Sequence, residues 1–270
     1  MRAPAMNNAT GKDLLALVRE GDYAHPGEEE AIRLLLTGVR PDGHRRILDA
    51  GCGGAGTAAW VQAHGYGAVT GIEIDAETVR LARERHPEVK IVSGDLRRAG
   101  DAVDGPFDLV YAMTVLYAVP DQRAALQQLG ALAAPGAELR LLEYADPHGR
   151  FAAATSGRSS YAWWRPLEPG RLHELLSGTG WALAESRDLG AQFERWYVEL
   201  CTRIAARREA IVERFGAEWL AFASAEYAGI LEMVRAGELG GIFVRARATE
   251  RVPLPPATRI VTRSDGGTEP

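Results

Sequence analysis

The residues with the clearest chemical potential lie in the segment LDAGCGGAG, Leu48–Gly56. Glycines after a strand let the backbone turn tightly and approach a ligand closely, because a Cβ there would collide with it. The first turn of a following helix adds partial positive charge. Glu73 would end the next strand, where a carboxylate can accept hydrogen bonds from a ribose diol. The pattern therefore indicates a cofactor that contains a nucleoside.

Two kinds of nucleoside cofactor fit this pattern. Gly51, Gly53 and Gly56 match the dinucleotide motif G-x-G-x-x-G, which keeps NAD open. Asp49 favours a cofactor that carries an α-ammonium group, because an anion beside the glycine turn would oppose a pyrophosphate. Asp95, after a third strand, can accept a hydrogen bond from an adenine amino group. The two aspartates favour the second kind.

The elements that must position these residues alternate between strand and helix patterns. Strands are predicted at Ile47–Ala50, Ala68–Ile74, Val89–Gly94, Phe107–Met113 and Ala137–Ala145, and helices near Ala55–His64, Ala76–His86 and Asp121–Ala133. Such alternation predicts an α/β fold with a doubly wound, mostly parallel sheet. Two further strands, at Trp181–Leu189 and Gly240–Ala248, suit an antiparallel hairpin that would complete seven strands.

The remaining segments predict four parts of the chain. Residues 1–45 form an N-terminal helical cap with one helix at Glu28–Leu36, and residues 46–189 with 239–250 form the core. Residues 190–238 form a two-helix insertion, or lid, with Gly216 between its helices. Residues 251–270 are rich in Pro, Gly and polar side chains and predict a mobile tail.

Composition narrows the class of protein. The net charge of −5 disfavours a nucleic-acid partner, which usually selects a basic surface. No segment resembles a signal peptide or a membrane span, and two cysteines are too few for a disulfide framework. The six histidines form no metal-ligand motif. We therefore expect a cytoplasmic protein without a metal or membrane partner, either a monomer or a homodimer.

Five segments in this order resemble the class I S-adenosylmethionine-dependent methyltransferase family, particularly its ubiquinone-biosynthesis-like branch that acts on small molecules. The resemblance covers roughly Ile47–Ala145 and is carried by ILDAGCGGAGTA, VTGIEIDAETV, SGDL, FDLVYAMTVLYAVPD and LAAPGAELRLLEYA. It implies a Rossmann-like methyltransferase fold and S-adenosylmethionine as the cofactor. One departure is Ala55, where the family often has glycine.

The resemblance also implies roles for single residues. Asp49, Gly51, Cys52 and Gly53 would surround the methionine part of the cofactor. The other predicted cofactor contacts are Glu73 on the ribose, Ile74 on the adenine face, Asp95 and Leu96 on the adenine edge, and Met113 near the sulfonium. Tyr23 and His25 precede the first predicted helix, and this segment would either fold over the cofactor or form a surface turn.

Substrate contacts are expected beyond the carboxyl ends of the strands. The candidates there are Tyr117, Tyr144, Tyr161, Trp163 and Trp164, and the aromatic residues could line a pocket or hold a cation. His148 is the first candidate for a general base, since imidazole titrates near neutral pH, with an exposed loop histidine as the alternative. Glu143 is a base, an anchor for a cationic substrate, or a buried group that needs a partner.

The sequence thus predicts methyl transfer to an O, N or C atom of a small molecule. Two other functions stay open at this point. One is an NAD-dependent oxidoreductase, and the other is a methyltransferase fold that binds the cofactor without methylating, as a cyclase or a binding module.

Overall fold

Seven strands form one sheet in the order β3-β2-β1-β4-β5-β7-β6. The structure, a computed structural model, describes residues 4–249, and the predicted tail lies outside the described residues. The strands are β1 Arg45–Ala50, β2 Gly67–Glu73, β3 Lys90–Ser93, β4 Phe107–Met113, β5 Ala133–Ala145, β6 Trp181–Asp188 and β7 Gly240–Ala248. Strands β1 to β5 pair in parallel, and β7 is antiparallel to both β5 and β6. The predicted seven-stranded, mostly parallel sheet is confirmed.

Helices cover both faces of this sheet. The α-helices are α1 Ala9–Arg19, α2 Glu28–Leu35, α3 Gly56–Ala63, α4 Ala76–Arg85, α5 Gln122–Ala131, α6 Phe151–Ala154, α7 Leu172–Leu176, α8 Gly190–Ala206, α9 Arg208–Phe215 and α10 Ala217–Arg235. Short 3-10 turns follow β3, β4 and α6 and precede α7. Alternating side chains on the strands feed two apolar layers, so that Ile47 packs in one layer and Leu48 in the other.

The N-terminal cap contains a helix that the sequence analysis missed. Asn8 caps α1, because its side chain accepts a hydrogen bond of 2.9 Å from the Gly11 N–H. Leu14, Leu15 and Val18 are buried on one side of α1. The Asn8 cap and the spacing of these apolar residues are the sequence signals for α1.

Two further details differ from the prediction. Strand β5 begins at Ala133 rather than Ala137, and the register between β4 and β5 shifts where Pro135-Gly136 interrupts the pattern. The insertion holds three helices, because its first helical pattern breaks at Arg207 between α8 and α9. Gly216, at φ +93°, lies between α9 and α10 as predicted.

The topology brings the chemistry-bearing residues to one edge of the sheet. The parallel strands β1, β2, β3, β4 and β5 all end at this edge, and the strand order reverses between β1 and β4. In open α/β sheets, ligands bind in the crevice at such a switch point. The loops after these strands therefore define the site.

Candidate active site

The glycine turn after β1 has the conformation that its sequence predicts. Gly51 has φ +85° and Gly53 has φ +53°, in the left-handed region that glycine adopts without strain. A Cβ on Gly51 would lie 2.5 Å from Val115, so the turn also packs closely against the loop after β4. Ala55 sits at φ +65°, in the left-handed region that glycine adopts more readily than alanine.

Glu73 ends β2 and is already engaged by three donors. The Gly53 N–H donates to its Oε2 atom at 3.0 Å, and the Asp75 N–H donates to its Oε1 atom at 3.0 Å. Lys12, from α1, forms an ion pair with Oε2 at 3.2 Å. The Glu73 carboxylate therefore holds the glycine turn through the Gly53 N–H and contacts the N-terminal helix α1 through Lys12.

The loop after β3 places Asp95 at the same edge. Its Oδ1 atom accepts from the Arg97 N–H at 2.9 Å, and the Arg97 guanidinium pairs with both of its oxygens. The side-chain hydrogen bond from Arg97 is the main reason that the pKa of Asp95 lies below its ordinary value. Ile74 is 66% exposed beside this loop, an unusual exposure for an apolar side chain that is expected to pack on a ligand.

One cavity of about 410 Å³ joins these groups to an aromatic region. Its first end, here called the cofactor end, is lined by Gly51, Gly53, Glu73, Ile74, Asp95, Leu96 and Arg97. Its second end, here called the aromatic chamber, is lined by Tyr117, Tyr144, Trp163, Trp164, Tyr197, Phe222, Glu226, Tyr227 and Ile230. Residues of the N-terminal segment, among them Met6, Lys12 and Ala24, also line the cavity.

Three predicted cofactor residues lie beneath this surface rather than on it. Asp49 is buried and accepts a hydrogen bond of 2.9 Å from the Tyr111 hydroxyl. Burial raises the pKa of Asp49 to about 7, and the nearby charge of Glu73 adds to the rise. Cys52 packs against Gly71, and Met113 is buried at the end of β4. None of these three side chains lines the cavity; they support the backbone that borders it.

The N-terminal loop reaches the cavity with Ala24 and not with the predicted neighbours Tyr23 and His25. Tyr23 lines a separate cleft between α2 and α8. His25 is buried, and its Nδ1–H donates to Pro26 O at 3.2 Å, so its Nε2 atom accepts from the Thr57 hydroxyl at 2.8 Å. Burial lowers the pKa of His25 to about 3. The histidine therefore joins the loop to α3 as a neutral ring.

The predicted substrate residues form a connected group of rings. Tyr117 packs against Trp164 with ring centroids 4.4 Å apart and against Tyr144 at 4.8 Å. Trp163 is 40% exposed at the rim and lies 5.8 Å from Tyr117. Tyr161 packs behind Trp164 at 5.2 Å and does not line the cavity. Four of the five predicted rings therefore face the chamber.

Glu143 lies under the loop after β4 and does not reach the cavity. Its side chain is fully buried, and it accepts hydrogen bonds from the Val115 N–H at 2.8 Å and the Leu116 N–H at 2.9 Å. Burial raises the pKa of Glu143 to about 7, although the backbone hydrogen bonds oppose this rise. The neighbouring Thr114 has φ +51°, a strained value for a β-branched residue. The placement does not support the expected base and matches the alternative of a buried group with partners, because the carboxylate holds this strained loop in place.

His148 is exposed in the turn after β5 and does not line the cavity. A base must come within hydrogen-bond reach of the proton that it accepts. The placement of His148 does not support its predicted role as the base, and it matches the alternative of an exposed loop histidine.

Several lining residues were not among the predicted site residues. They are Lys12 and Arg97 at the cofactor end, and Tyr197, Phe222, Glu226, Tyr227 and Ile230 in the chamber. The spacing of Phe222, Glu226 and Ile230 puts them on one face of α10, but an isolated helical pattern does not show what that face meets. Their role needed the tertiary structure.

The part of the chain that the structure describes has neither a metal-binding cluster nor a membrane-spanning helix. Between residues 4 and 249, no group of three or more His, Cys, Asp or Glu side chains is arranged to hold a metal ion. Within the same range, no helix is long and apolar enough to cross a membrane.

The strand order and the cavity at the switch point define a class of α/β proteins that bind nucleoside cofactors. Within that class, the chain belongs to a methyltransferase-domain family, which matches residues 23–194, more than half of its length.

Known proteins agree with this assignment. The chain is 31% identical to trans-aconitate 2-methyltransferase of Azoarcus sp., over 62% of this chain and 65% of that protein. It is 29% identical to ubiquinone biosynthesis O-methyltransferase of Pectobacterium atrosepticum, over 53% of this chain and 57% of that protein. The matches span less than two thirds of these relatives.

Solved structures share the fold at lower identity. Phosphoethanolamine N-methyltransferase 2 of Haemonchus contortus, in complex with phosphomonomethylethanolamine and S-adenosylhomocysteine, aligns with a TM-score of 0.79 and 17% identity, over 89% of this chain and 57% of that chain. The [4+2]-cyclase SpnF aligns with a TM-score of 0.70 and 21% identity, over 87% and 91%. These likenesses show the fold alone.

Proposed function

We propose that this protein transfers a methyl group from S-adenosylmethionine to a small molecule. The observation that carries the proposal is the continuous cavity, which joins the glycine turn, Glu73 and Asp95 to the aromatic chamber. A cofactor and its acceptor must meet in one enclosed space for direct group transfer.

The residues of the cofactor end fit this cofactor chemically. Glu73 would accept hydrogen bonds from the ribose hydroxyls, and Ile74 would pack on the adenine ring. Asp95 and the Leu96 backbone would contact the adenine edge, and the turn at Gly51 would hold the methionine part without a Cβ in the way. Because Lys12 already pairs with Glu73, the amine of α1 would have to share the carboxylate with the ribose.

The bound cofactor supplies the activated methyl group, so this chain's residues chiefly align the acceptor and exclude water. The loop from Thr114 to Ala118 carries out the alignment, since it packs on the glycine turn through Val115 and enters the chamber through Tyr117. The rings of Trp163 and Trp164 limit solvent access at the rim.

Different parts of the chain cover the two ends of the cavity. We infer that residues 1–45 cover the cofactor end and that the insertion 190–238 roofs the chamber, because α1, α8 and α10 each contribute lining residues. We also infer a cytoplasmic monomer or homodimer with no nucleic-acid partner, supported by the net charge of −5 and two free cysteines.

Calorimetry with S-adenosylhomocysteine tests the cofactor end. Glu73→Ala should weaken binding at least about tenfold, or about 1.4 kcal/mol, because the ribose loses its acceptor. Glu77→Ala is the matched control, since Glu77 is exposed on α4 and pairs only with a surface arginine, and it should leave the affinity unchanged. Equal affinity for all three proteins, or no binding by the unaltered protein, would contradict the proposal.

The same titration with NAD separates the first alternative, since a ligand stabilises only the protein that binds it. A methyl-labelled cofactor separates the second. Label that moves into a product, with S-adenosylhomocysteine released, supports transfer, whereas product formed without label would indicate a cyclase that retains the cofactor.

A further inference from the structure

One carboxylate side chain, that of Glu226, lines the aromatic chamber. Glu226 lies on α10, in line with Phe222 and Ile230 on the helix face that borders the cavity. It is half-buried, and burial raises the pKa of its carboxyl group, whereas the nearby Tyr161 side chain lowers it. No lysine, arginine or histidine of residues 4–249 lines this chamber. Glu226 is therefore a carboxylate in an otherwise apolar and aromatic enclosure.

The charges at the cofactor end contrast with this arrangement. Lys12 pairs with Glu73, and Arg97 pairs with Asp95, so each acidic group there has a basic partner. No ion pair to Glu226 occurs among residues 4–249. A partly buried carboxylate without an ion-pair partner is costly unless something of opposite charge joins it.

The charge of Glu226 affects the pKa values of tyrosines around the chamber. Burial raises the pKa of Tyr117, Tyr161 and Tyr227, and the charge of Glu226 adds to the rise in each of them. Three tyrosines from three different segments therefore lie within electrostatic reach of one carboxylate. The cavity lining itself sets Glu226 on the side of α10 that faces Tyr117 and Trp164.

Aromatic faces complete the surroundings. Tyr117 lies 4.4 Å from Trp164 and 5.8 Å from Trp163, measured between ring centroids, so several π-faces border the same space. Such faces attract an organic cation and gain strength when water is excluded. They offer nothing to a carboxylate or a phosphate, which would also be repelled by Glu226.

We propose that the aromatic chamber recognises a substrate that carries a protonated amine, with Glu226 as the counter-ion and the rings of Tyr117, Trp163 and Trp164 around the cation. The inference rests on the proposed methyltransferase function and gives its substrate class. The protonated amine is the group that anchors the substrate, and it need not be the atom that accepts the methyl group. It also predicts that polyanionic molecules are poor substrates.

Three probes that share an indolylethyl group and differ in charge test the inference. Tryptamine is cationic, tryptophol is neutral and indole-3-propionate is anionic at pH 7.5. Their binding is measured by calorimetry on the full chain saturated with S-adenosylhomocysteine. We expect tryptamine to bind about tenfold more tightly than either of the others.

The variants identify the residue responsible. Glu226→Gln should weaken tryptamine binding about tenfold and leave tryptophol binding unchanged, because only the ion pair is lost. Glu226→Asp keeps the charge and should keep the preference for tryptamine. Glu232→Gln is the control, since Glu232 is exposed on the same helix and does not line the cavity.

The inference is overturned if no probe binds, if tryptophol or indole-3-propionate binds as tightly as tryptamine, or if the preference survives in Glu226→Gln with a folded protein. The affinity for S-adenosylhomocysteine is measured in the same samples. If the unaltered protein does not bind S-adenosylhomocysteine, the proposed function itself is contradicted. If it binds S-adenosylhomocysteine but shows no preference for the amine, only the substrate class is contradicted.

Discussion

The cofactor end and the aromatic chamber share one cavity but are built in different ways. The cofactor end comes from the loops directly after β1, β2 and β3, so its residues follow one another closely along the chain. The chamber is assembled from the loop after β4, the end of β5, the segment around Trp163 and the helices α8 and α10. These segments are distant in sequence and meet only in the folded molecule.

This difference has a chemical counterpart. A cofactor with fixed structure needs fixed partners, and the cofactor end supplies them as hydrogen-bonded carboxylates on strand ends. The chamber is formed mostly by aromatic side chains from loops and helices outside the parallel strands, with Tyr144 at the end of β5 as the exception. We infer that cofactor specificity lies in the core and acceptor specificity in the flanking segments.

The largest expected effect concerns the loop that both ends share. Glu143→Ala should destabilise the protein by about 3 kcal/mol, because two buried N–H groups, those of Val115 and Leu116, lose their acceptor. Since Val115 packs on Gly51 and Tyr117 enters the chamber, binding at both ends should weaken together. Urea unfolding and the calorimetry described above measure the two effects.

Glu143→Gln is the informative companion, because its amide oxygen can still accept from the loop. It should recover most of the stability and binding. If Glu143→Ala weakened binding at one end only, the two ends would be independent, and the loop would not couple them.

The second-largest expected effect is the pH dependence of stability that comes from Asp49, the buried acid beneath the cofactor end. The pKa of Asp49 is raised to about 7 from an ordinary 3.8, mainly by burial. The folded state therefore favours the protonated, neutral form of Asp49. The contribution of Asp49 to the free energy of unfolding is fully present below pH 3.8 and is lost as the pH rises through 7, because the unfolded chain releases this proton more readily. Between pH 5.5 and 7.5 the unaltered protein should lose about 2 kcal/mol through Asp49.

Asp49→Asn mimics the neutral form and should remove that part of the pH dependence. Free energies of unfolding at several pH values, without cofactor, give the comparison. Glu143 titrates in the same range, so the variant should keep the remaining slope. An unchanged slope in Asp49→Asn would mean that Asp49 is ionised throughout.

The sequence alone brings part of the cofactor end together, and there is a physical reason for it. Gly51, Gly53, Glu73 and Asp95 are constrained by their own loops, so the order of strand, turn and acidic residue was enough to bring them to one edge. Asp49 and Cys52 share the turn but point below it, which depends on how the turn is rotated. Residue type and spacing do not show that rotation.

The chamber needed information that is not local. The aromatic run Tyr161–Trp164 was recognised, yet only the packing shows that Trp163 and Trp164 face the cavity and that Tyr161 lies behind them. Glu226 stands in a helical pattern where a carboxylate normally faces solvent. Its place in the cavity lining depends on the packing of α10 against α8.

The smallest expected effect tests the one departure in the glycine turn. Ala55→Gly relieves a left-handed residue, worth about 1 kcal/mol, but removes a buried methyl group, which costs about 0.8 kcal/mol. The free energy of unfolding should therefore change by less than about 0.5 kcal/mol, and cofactor affinity should stay the same. Gly51→Ala is the contrast, because its Cβ would collide with Val115 and should weaken both. A large gain in affinity from Ala55→Gly would show that the alanine displaces the turn, and the cofactor end would then be less well formed than its geometry implies.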